Sequence, residues 1–163
     1  MMEVYVLVEK KANILLQTLK IVLLAIGVIS MVLTIMGLGI FLIFMTVSML
    51  GAYFLHTRKY EYEYSYFDGD VRFAKIINKS SRKCLAGYTM EEVHNIAPIN
   101  DRSVYKYVND TKIKVRNLTS GNQDAKVYVM VAKGSGGLEL VKFEPDEKYL
   151  DAVCIKYGQK VVR

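Results

Sequence analysis

The most apolar part of the chain is a run over residues 21–55 that contains no charged side chain. As one helix, at about 1.5 Å per residue, this run would measure about 52 Å, whereas the hydrocarbon core of a bilayer is about 30 Å thick. Gly37 and Gly39 flank Leu38 near its middle, and glycine readily adopts the positive φ that a tight reversal needs. The pattern therefore predicts a transmembrane hairpin with helices over about 13–36 and 38–55, and a single tilted span is the alternative.

The charges on both sides of the apolar run favour the hairpin. Lys10–Lys11 precede the run and Arg58–Lys59 follow it. Positive residues near membrane ends stay on the cytoplasmic side, so both flanks belong inside, and only a hairpin satisfies both. Glu3, Glu9 and the length of the run disfavour a signal peptide. We expect a multi-pass protein of the cell membrane with both termini in the cytoplasm.

After the apolar run, the hydrophobic period changes from helical to two. In "YEYEYSYF", Tyr60–Phe67, tyrosines alternate with glutamate and serine, which is typical of a half-buried strand. Asp68-Gly69 is a strong hairpin signal, and "VRFAKII" is its predicted partner strand. An interfacial aromatic belt is the alternative interpretation of the tyrosines.

More strands follow at short intervals. "KCLAGYTMEEVHNIAPI" predicts one long strand bent at Gly87, or two short ones, and "VYKYV" predicts a brief strand. "KIKVRNL" alternates, with Ile113 and Val115 expected to face inward. "AKVYVMVA" and "LELVKF" are joined by "KGSGG", which predicts a hairpin loop.

The last segment has helical periodicity. After Pro145, apolar residues recur at helical spacing and Gly158 is the expected stop. These residues are Tyr149, Leu150, Val153, Cys154 and Tyr157. The fold class is therefore α+β. Residues 1–57 form an N-terminal segment with the hairpin, and residues 58–163 form a cytoplasmic domain of six or seven antiparallel strands and one covering helix.

A small, strongly bent antiparallel sheet closed by a C-terminal helix resembles the pleckstrin-homology fold. "YTMEEVHNI" is similar to a strand of bacterial pleckstrin-homology-like domains, and "FEPDEKYLDAVCIKY" to the last strand with its capping helix. With the two-helix anchor, "YEYSYFDGDVRFAKIINKSSRK" resembles small bacterial membrane proteins that carry such a domain. The resemblance implies a transmembrane helical hairpin followed by a pleckstrin-homology-like antiparallel β-barrel, and it implies no particular activity.

The net charge of +6 lies mainly in the polar part of the chain. A basic domain beside a membrane suggests anionic lipid headgroups rather than nucleic acid. Two clusters are candidate lipid-binding or partner-binding residues, with solvated strand faces as the alternative. One is Lys79, Arg82 and Lys83; the other is Lys112, Lys114 and Arg116, which strand alternation places on one outward face. The turn Asp68–Asp70 is short and acidic where phosphoinositide-binding members of the resembled superfamily have a basic loop.

The sequence predicts no catalytic residue, no cofactor and no metal site. Cys84 and Cys154 fit no metal spacing and are expected to be reduced, partly buried thiols. Glu91–Glu92 are adjacent, so on a strand they point to opposite faces and do not form a carboxylate pair. We therefore do not expect an enzyme.

Three functions remain open at this point. The first is a non-enzymatic, membrane-anchored module that binds a protein or peptide partner at the inner face of the membrane. The second is a sensor of anionic lipid surfaces, and the third is a structural subunit of a larger membrane complex. The sequence names neither the partner nor the oligomeric state.

Overall fold

A computed structural model describes residues 3–11, 13–56 and 60–163. The chain forms two compact units: Met1–Lys11 together with Tyr60–Arg163, here called the sheet unit, and Ala12–Lys59, here called the helical unit. This division differs from the predicted boundary at residue 57, because the first residues belong to the sheet unit. Arg58–Lys59, which contributed to the topology prediction, lie outside the described residues.

The helical unit contains two antiparallel helices. They are α1 (Ile14–Ile35) and α2 (Phe41–His56). The chain reverses over residues 36–40, where Gly37 has φ 95°, as the glycine pattern predicted. Helix α1 is long and apolar enough to cross a membrane, whereas α2 is apolar but shorter.

Small residues lie where the two helices meet. Gly27 and Ser48 face each other, and a Cβ built on Gly27 would lie 3.1 Å from the Ser48 Oγ. A Cβ on Gly51 would lie 3.3 Å from the Leu23 Cδ1. Close backbone approach at small residues is the usual way in which apolar helices associate inside a membrane.

The sheet unit consists of two four-stranded sheets and two further helices. The first sheet contains β1 (Glu3–Glu9), β2 (Tyr60–Phe67), β3 (Asp70–Ile77) and β4 (Ser81–Thr89). The second sheet contains β5 (Val93–Pro98), β6 (Lys114–Asn117), β7 (Tyr128–Gly134) and β8 (Gly137–Phe143). The helices are α3 (Arg102–Val108) and α4 (Glu147–Tyr157). The strand orders are β1-β2-β3-β4 and β5-β7-β8-β6.

An aromatic cluster forms the main core of the sheet unit. Tyr64, Phe73, Phe143 and Tyr149 are fully buried, and their rings meet edge to face. Such ring pairs add about 0.5–1.5 kcal/mol each beyond the area that they bury. Leu150 and Val153 on α4 also lie in this cluster. The tyrosine stripe of β2 is thus a core face rather than an interfacial belt, and α4 covers it as predicted.

Strand β1 belongs to the sheet unit, although the N-terminal segment was grouped with the hairpin in residues 1–57. Val4, Val6 and Val8 pack against the aromatic core, and β1 pairs antiparallel with β2 over its whole length. The alternation of "EVYVLVE" is a strand signal, but its partner follows only after the helical unit. Sequence periodicity detects a strand but does not identify a partner so distant along the chain.

The segment "VYKYV" forms helix α3 rather than a brief strand. The Asp101 carboxylate accepts a hydrogen bond of 2.8 Å from the Ser103 N–H and so caps the helix. Val104 is fully buried, and Tyr107 packs against the same cluster. Their spacing of three fits a helix, and the short length of the segment concealed this period.

The strands do not close into an antiparallel barrel in the described part of the chain. Strand β6 runs parallel to β8, and β4 and β5 belong to different sheets because the chain turns at Met90–Glu92. The Met90 N–H donates to the Gly69 carbonyl at 2.7 Å, which fixes this turn. Helix α4 ends at Tyr157 with Gly158 as its C-cap, as predicted, and a 3-10 turn continues to Lys160.

Candidate functional site

One long edge of the first sheet has no partner strand among the described residues. Lys10 donates its N–H to the Tyr60 carbonyl at 3.2 Å, so these two residues form a hydrogen-bonded pair of the antiparallel ladder. Such pairs alternate with residues whose N–H and C=O point away from the neighbouring strand. The backbone N–H and C=O groups therefore point away from β2 at four residues: Glu3, Tyr5, Leu7 and Glu9. We call these residues the β1 edge.

The side chains of the β1 edge are exposed as well. Tyr5 is 66% exposed and Leu7 is 50% exposed. Natural edge strands are usually protected by a central charge, a proline or a bulge. The middle of β1 has none of these, and its pairing with β2 runs without a register shift. It is therefore an open template for a further strand.

The two ends of the β1 edge are acidic. Glu3 and Glu9 are exposed, and Glu9 lies directly opposite Glu61 on β2. Within the described ranges, no basic side chain forms a salt bridge with any of these three carboxylates. Like charges directly opposite each other on a sheet are destabilising, so this pair costs the fold some stability.

A groove runs beside the first half of the β1 edge, next to helix α4. It has a volume of about 410 Å³. The lining residues are Glu3, Val4, Tyr5, Lys148 and Asp151. Asp151 is paired with Arg163, whereas Lys148 forms no salt bridge with any residue that the structure describes.

The first predicted basic cluster lies at one end of the first sheet. Lys79 occupies the β3–β4 turn with φ 57°, and Arg82 and Lys83 begin β4. Arg82 is paired with the buried Glu63 carboxylate, whereas Lys83 lies opposite Lys75 in the ladder. The same sheet end contains the start of β2, so the cluster lies near the strand ends through which the chain runs to and from the helical unit.

The second predicted cluster is not an outward row of three cations. Lys112 lies before β6, in a turn where its N–H donates to the Asp110 carboxylate at 2.9 Å. Lys114 and Arg116 both contact the carboxylate of Glu139, at 3.4 and 2.7 Å. The expected alternation fails at the end of this segment, because Arg116 turns toward this carboxylate and Val115, expected to face inward, is 47% exposed.

Glu139, which no sequence pattern indicated, is the buried carboxylate that these basic side chains contact. Its carboxylate also accepts a hydrogen bond of 2.7 Å from the Tyr88 hydroxyl. The Arg116 guanidinium lowers the pKa of Glu139 to about 2, and burial raises the pKa of Tyr88 to about 12. A lone glutamate between leucines in "LELVKF" carries no sequence signal of this role, because an exposed strand glutamate has the same pattern.

A cleft of about 570 Å³ lies beside Glu139 and is bordered by Tyr88, Glu92, Arg116 and Lys133. The Arg116 guanidinium is already hydrogen-bonded within the protein, because its nitrogens donate to Glu139 and to the Leu85 carbonyl. The described residues include no group of three side chains suited to a metal ion. The cleft therefore offers neither a free anion-binding guanidinium nor a metal-ligand set, and the β1 edge is the better candidate site.

Comparison with known proteins identifies the family of this chain. The family described as "Bacterial PH-like domain (DUF6106)" matches residues 2–163. No curated protein and no solved structure matches the chain. The family match confirms the pleckstrin-homology-like part of the resemblance and includes β1 within the matched region. The chain therefore belongs to the bacterial PH-like domain family DUF6106.

Proposed function

We propose that the protein is a non-enzymatic, membrane-anchored module that binds an extended segment of a protein or peptide partner along the β1 edge. The free backbone groups of Glu3, Tyr5, Leu7 and Glu9 carry this proposal. Adding a strand to an exposed sheet edge is a common mode of peptide recognition, in which main-chain hydrogen bonds supply affinity and alternate side chains supply specificity. The edge lies at the inner face of the cell membrane in this proposal.

The pairing of β1 with β2 supports anchoring by a membrane hairpin. Because Lys10 and Tyr60 are hydrogen-bonded, both ends of the intervening segment lie on the same side of any membrane that it enters. Such a segment crosses an even number of times. Helices α1 and α2, with 22 and 16 residues, are about 33 and 24 Å long, and a locally thinned bilayer accommodates the shorter one. The positive charge of Lys10–Lys11 favours the cytoplasmic side for both ends.

A second candidate function, contact with anionic lipid, is favoured by the position of the first basic cluster. Lys79 and Lys83 of this cluster, with the neighbouring Lys75, lie at the sheet end from which the chain continues to the helical unit, and Ile77 there is partly exposed. Near an anionic leaflet each lysine contributes about 1 kcal/mol of attraction. If lipid contact is the function, hydrogen exchange in this turn should be slower in nanodiscs of anionic lipid than in nanodiscs of zwitterionic lipid. The double variant Lys79→Glu with Lys83→Glu should abolish this difference.

Proline and alanine variants of one edge residue test the peptide-binding proposal. A photoreactive amino acid at position 7 of the full-length protein should form adducts with the partner in intact cells. Tyr5→Pro should abolish these adducts, because proline removes an outward N–H while keeping every hydrogen bond to β2. Tyr5→Ala is the matched control, since it removes the same side chain and keeps the N–H. Adducts that survive Tyr5→Pro, or no adducts in the unsubstituted protein, would contradict the proposal.

The full-length chain is required for both tests. A fragment that begins near residue 59 lacks β1, and so it lacks both the candidate edge and the strand that covers one side of β2. Such a fragment exposes the β2 backbone in place of the β1 edge, and its binding properties would report on a different surface.

A further inference from the structure

We infer that the segment bound along the β1 edge is basic, with cationic side chains at both ends of a short strand and apolar side chains between them. This inference rests on the proposed function and names the chemical class of its ligand. It follows from the charge, the spacing and the exposed side chains of the β1 edge.

The charge on this part of the molecule is opposite to that of the whole. The protein has a net charge of +6, yet the outer face of β1 and β2 carries Glu3, Glu9, Glu61 and Glu63. Arg82 neutralises Glu63. The remaining three have no cationic partner in the described part of the chain, so a cation from outside the protein would find unpaired carboxylates there.

Among the described residues, no lysine forms a salt bridge at the Glu9 end of the β1 edge. This includes Lys11, two residues after Glu9. The Lys10 ammonium donates to the Thr119 carbonyl at 3.0 Å, on the opposite face of the strand from Glu9. Lys148 lies at the other end, beside Glu3, in the groove next to α4. The facing pair of Glu9 and Glu61 is therefore the more acidic end. A cation on an added strand lies beside Glu9, where it gains an attractive neighbour and offsets the repulsion between Glu9 and Glu61.

The spacing along the strand defines the length and pattern of the ligand. Glu3 and Glu9 are separated by about 20 Å, at about 3.3 Å per residue. Tyr5 and Leu7 lie between them on the same face, where they can pair with apolar residues of an added strand. The order acidic, apolar, apolar, acidic is the same from either end. A seven-residue strand with basic termini therefore fits in either direction.

Two synthetic peptides test the inference. The basic probe is Lys-Thr-Val-Thr-Val-Thr-Lys and the acidic probe is Glu-Thr-Val-Thr-Val-Thr-Glu, both with blocked termini and a fluorescent label. The full-length protein in nanodiscs of zwitterionic lipid is titrated with each probe, and fluorescence anisotropy reports binding. We expect the basic probe to bind about tenfold more tightly, because it has two facing charge pairs and each changes affinity by up to about fivefold.

Charge-neutral variants assign any preference to the edge. Glu3→Gln with Glu9→Gln should reduce the preference for the basic probe to less than about twofold. Glu91→Gln with Asp124→Asn removes the same charge from exposed residues elsewhere and should retain the full preference. A preference that is lost equally in both double variants reflects net charge and would overturn the inference.

The outcomes separate this inference from the proposed function. If both probes bind equally and Tyr5→Pro weakens both, the edge accepts strands but the basic class is wrong. A stronger affinity for the acidic probe would overturn the inference but not the proposed function. The same holds if the partner forms adducts in cells but the protein shows no preference between the two probes. If no probe binds and Tyr5→Pro leaves the cellular adducts unchanged, the proposed function fails as well.

Discussion

At the scale of single residues, Gly134 is required by the buried carboxylate of Glu139. A Cβ on Gly134 would lie 2.9 Å from the Glu139 Cδ, and that side chain is held by hydrogen bonds from Tyr88 and Arg116. Gly134→Ala should therefore lower the free energy of unfolding by about 1–3 kcal/mol, as overpacking does. Gly136→Ala, in the same hairpin with no atom within 4 Å of the added Cβ, should change it by less than about 0.5 kcal/mol. Urea titrations that give equal midpoints for the two variants would contradict this role.

Glu139 itself should make the stability of the protein depend on pH. Its folded-state pKa is lowered to about 2, so its contribution is complete above the unfolded pKa of about 4.3 and is lost as the pH falls toward 2. Glu139→Gln should cost about 1–3 kcal/mol at neutral pH, because Arg116 loses its counter-charge. The urea midpoint of Glu139→Gln should therefore approach that of the unsubstituted protein as the pH falls from about 4.3 to about 2. A constant difference over that range would show that the charge of Glu139 is unimportant.

At the scale of elements, helix α4 stabilises the sheet unit through one face. Val153 is fully buried, whereas Ile155 on the same helix is 73% exposed. Val153→Asp should unfold the sheet unit, because a buried unpaired charge costs several kcal/mol, comparable to the whole stability of a domain. Ile155→Asp introduces the same charge on the exposed face and should cost no more than about 1 kcal/mol. Similar thermal unfolding midpoints for the two variants would exclude the helix as the cover of the core.

At the scale of the whole molecule, the pairing of β1 and β2 predicts the topology. Single cysteines at Leu7 and Asn100, in a background with Cys84→Ser and Cys154→Ser, should both resist a membrane-impermeant maleimide in intact cells. Both should react after permeabilisation. A cysteine at Leu38, in the reversal between the helices, should react in intact cells if the proposed hairpin crosses the membrane twice. Reaction of only one of Leu7→Cys and Asn100→Cys in intact cells would exclude the hairpin.

Local periodicity in the sequence was enough to predict several elements. The alternating tyrosines and Asp68-Gly69 identified the β2–β3 hairpin, and the turn residues have positive φ in the structure. The helical period after Pro145 identified α4, and the glycines around Leu38 identified the reversal between α1 and α2. These signals arise from neighbours in the chain, because strand alternation, turn dihedrals and helix faces are properties of short segments.

The candidate site was much less predictable than these elements. The basic residues stood out as clusters, but the carboxylate that pairs with Lys114 and Arg116 lies more than twenty residues farther along. The edge residues Tyr5 and Leu7 belong to a recognisable alternation, yet their exposure depends on which strand neighbours them. That a strand has one free side is a property of the assembled sheet.

The sequence by itself determined the apolar helices, the strand-rich α+β character and the covering helix, since each depends on the period of nearby side chains. The tertiary structure decided three further features. They are the pairing of β1 with β2, which the helical unit separates in the sequence, the parallel pairing of β6 with β8, and the contact of Arg116 with the buried Glu139 carboxylate. Each depends on residues that are distant in the chain and meet only when backbone hydrogen bonds and buried charges are satisfied together. The open β1 edge, and with it the proposed binding of a basic strand, belongs to this second group.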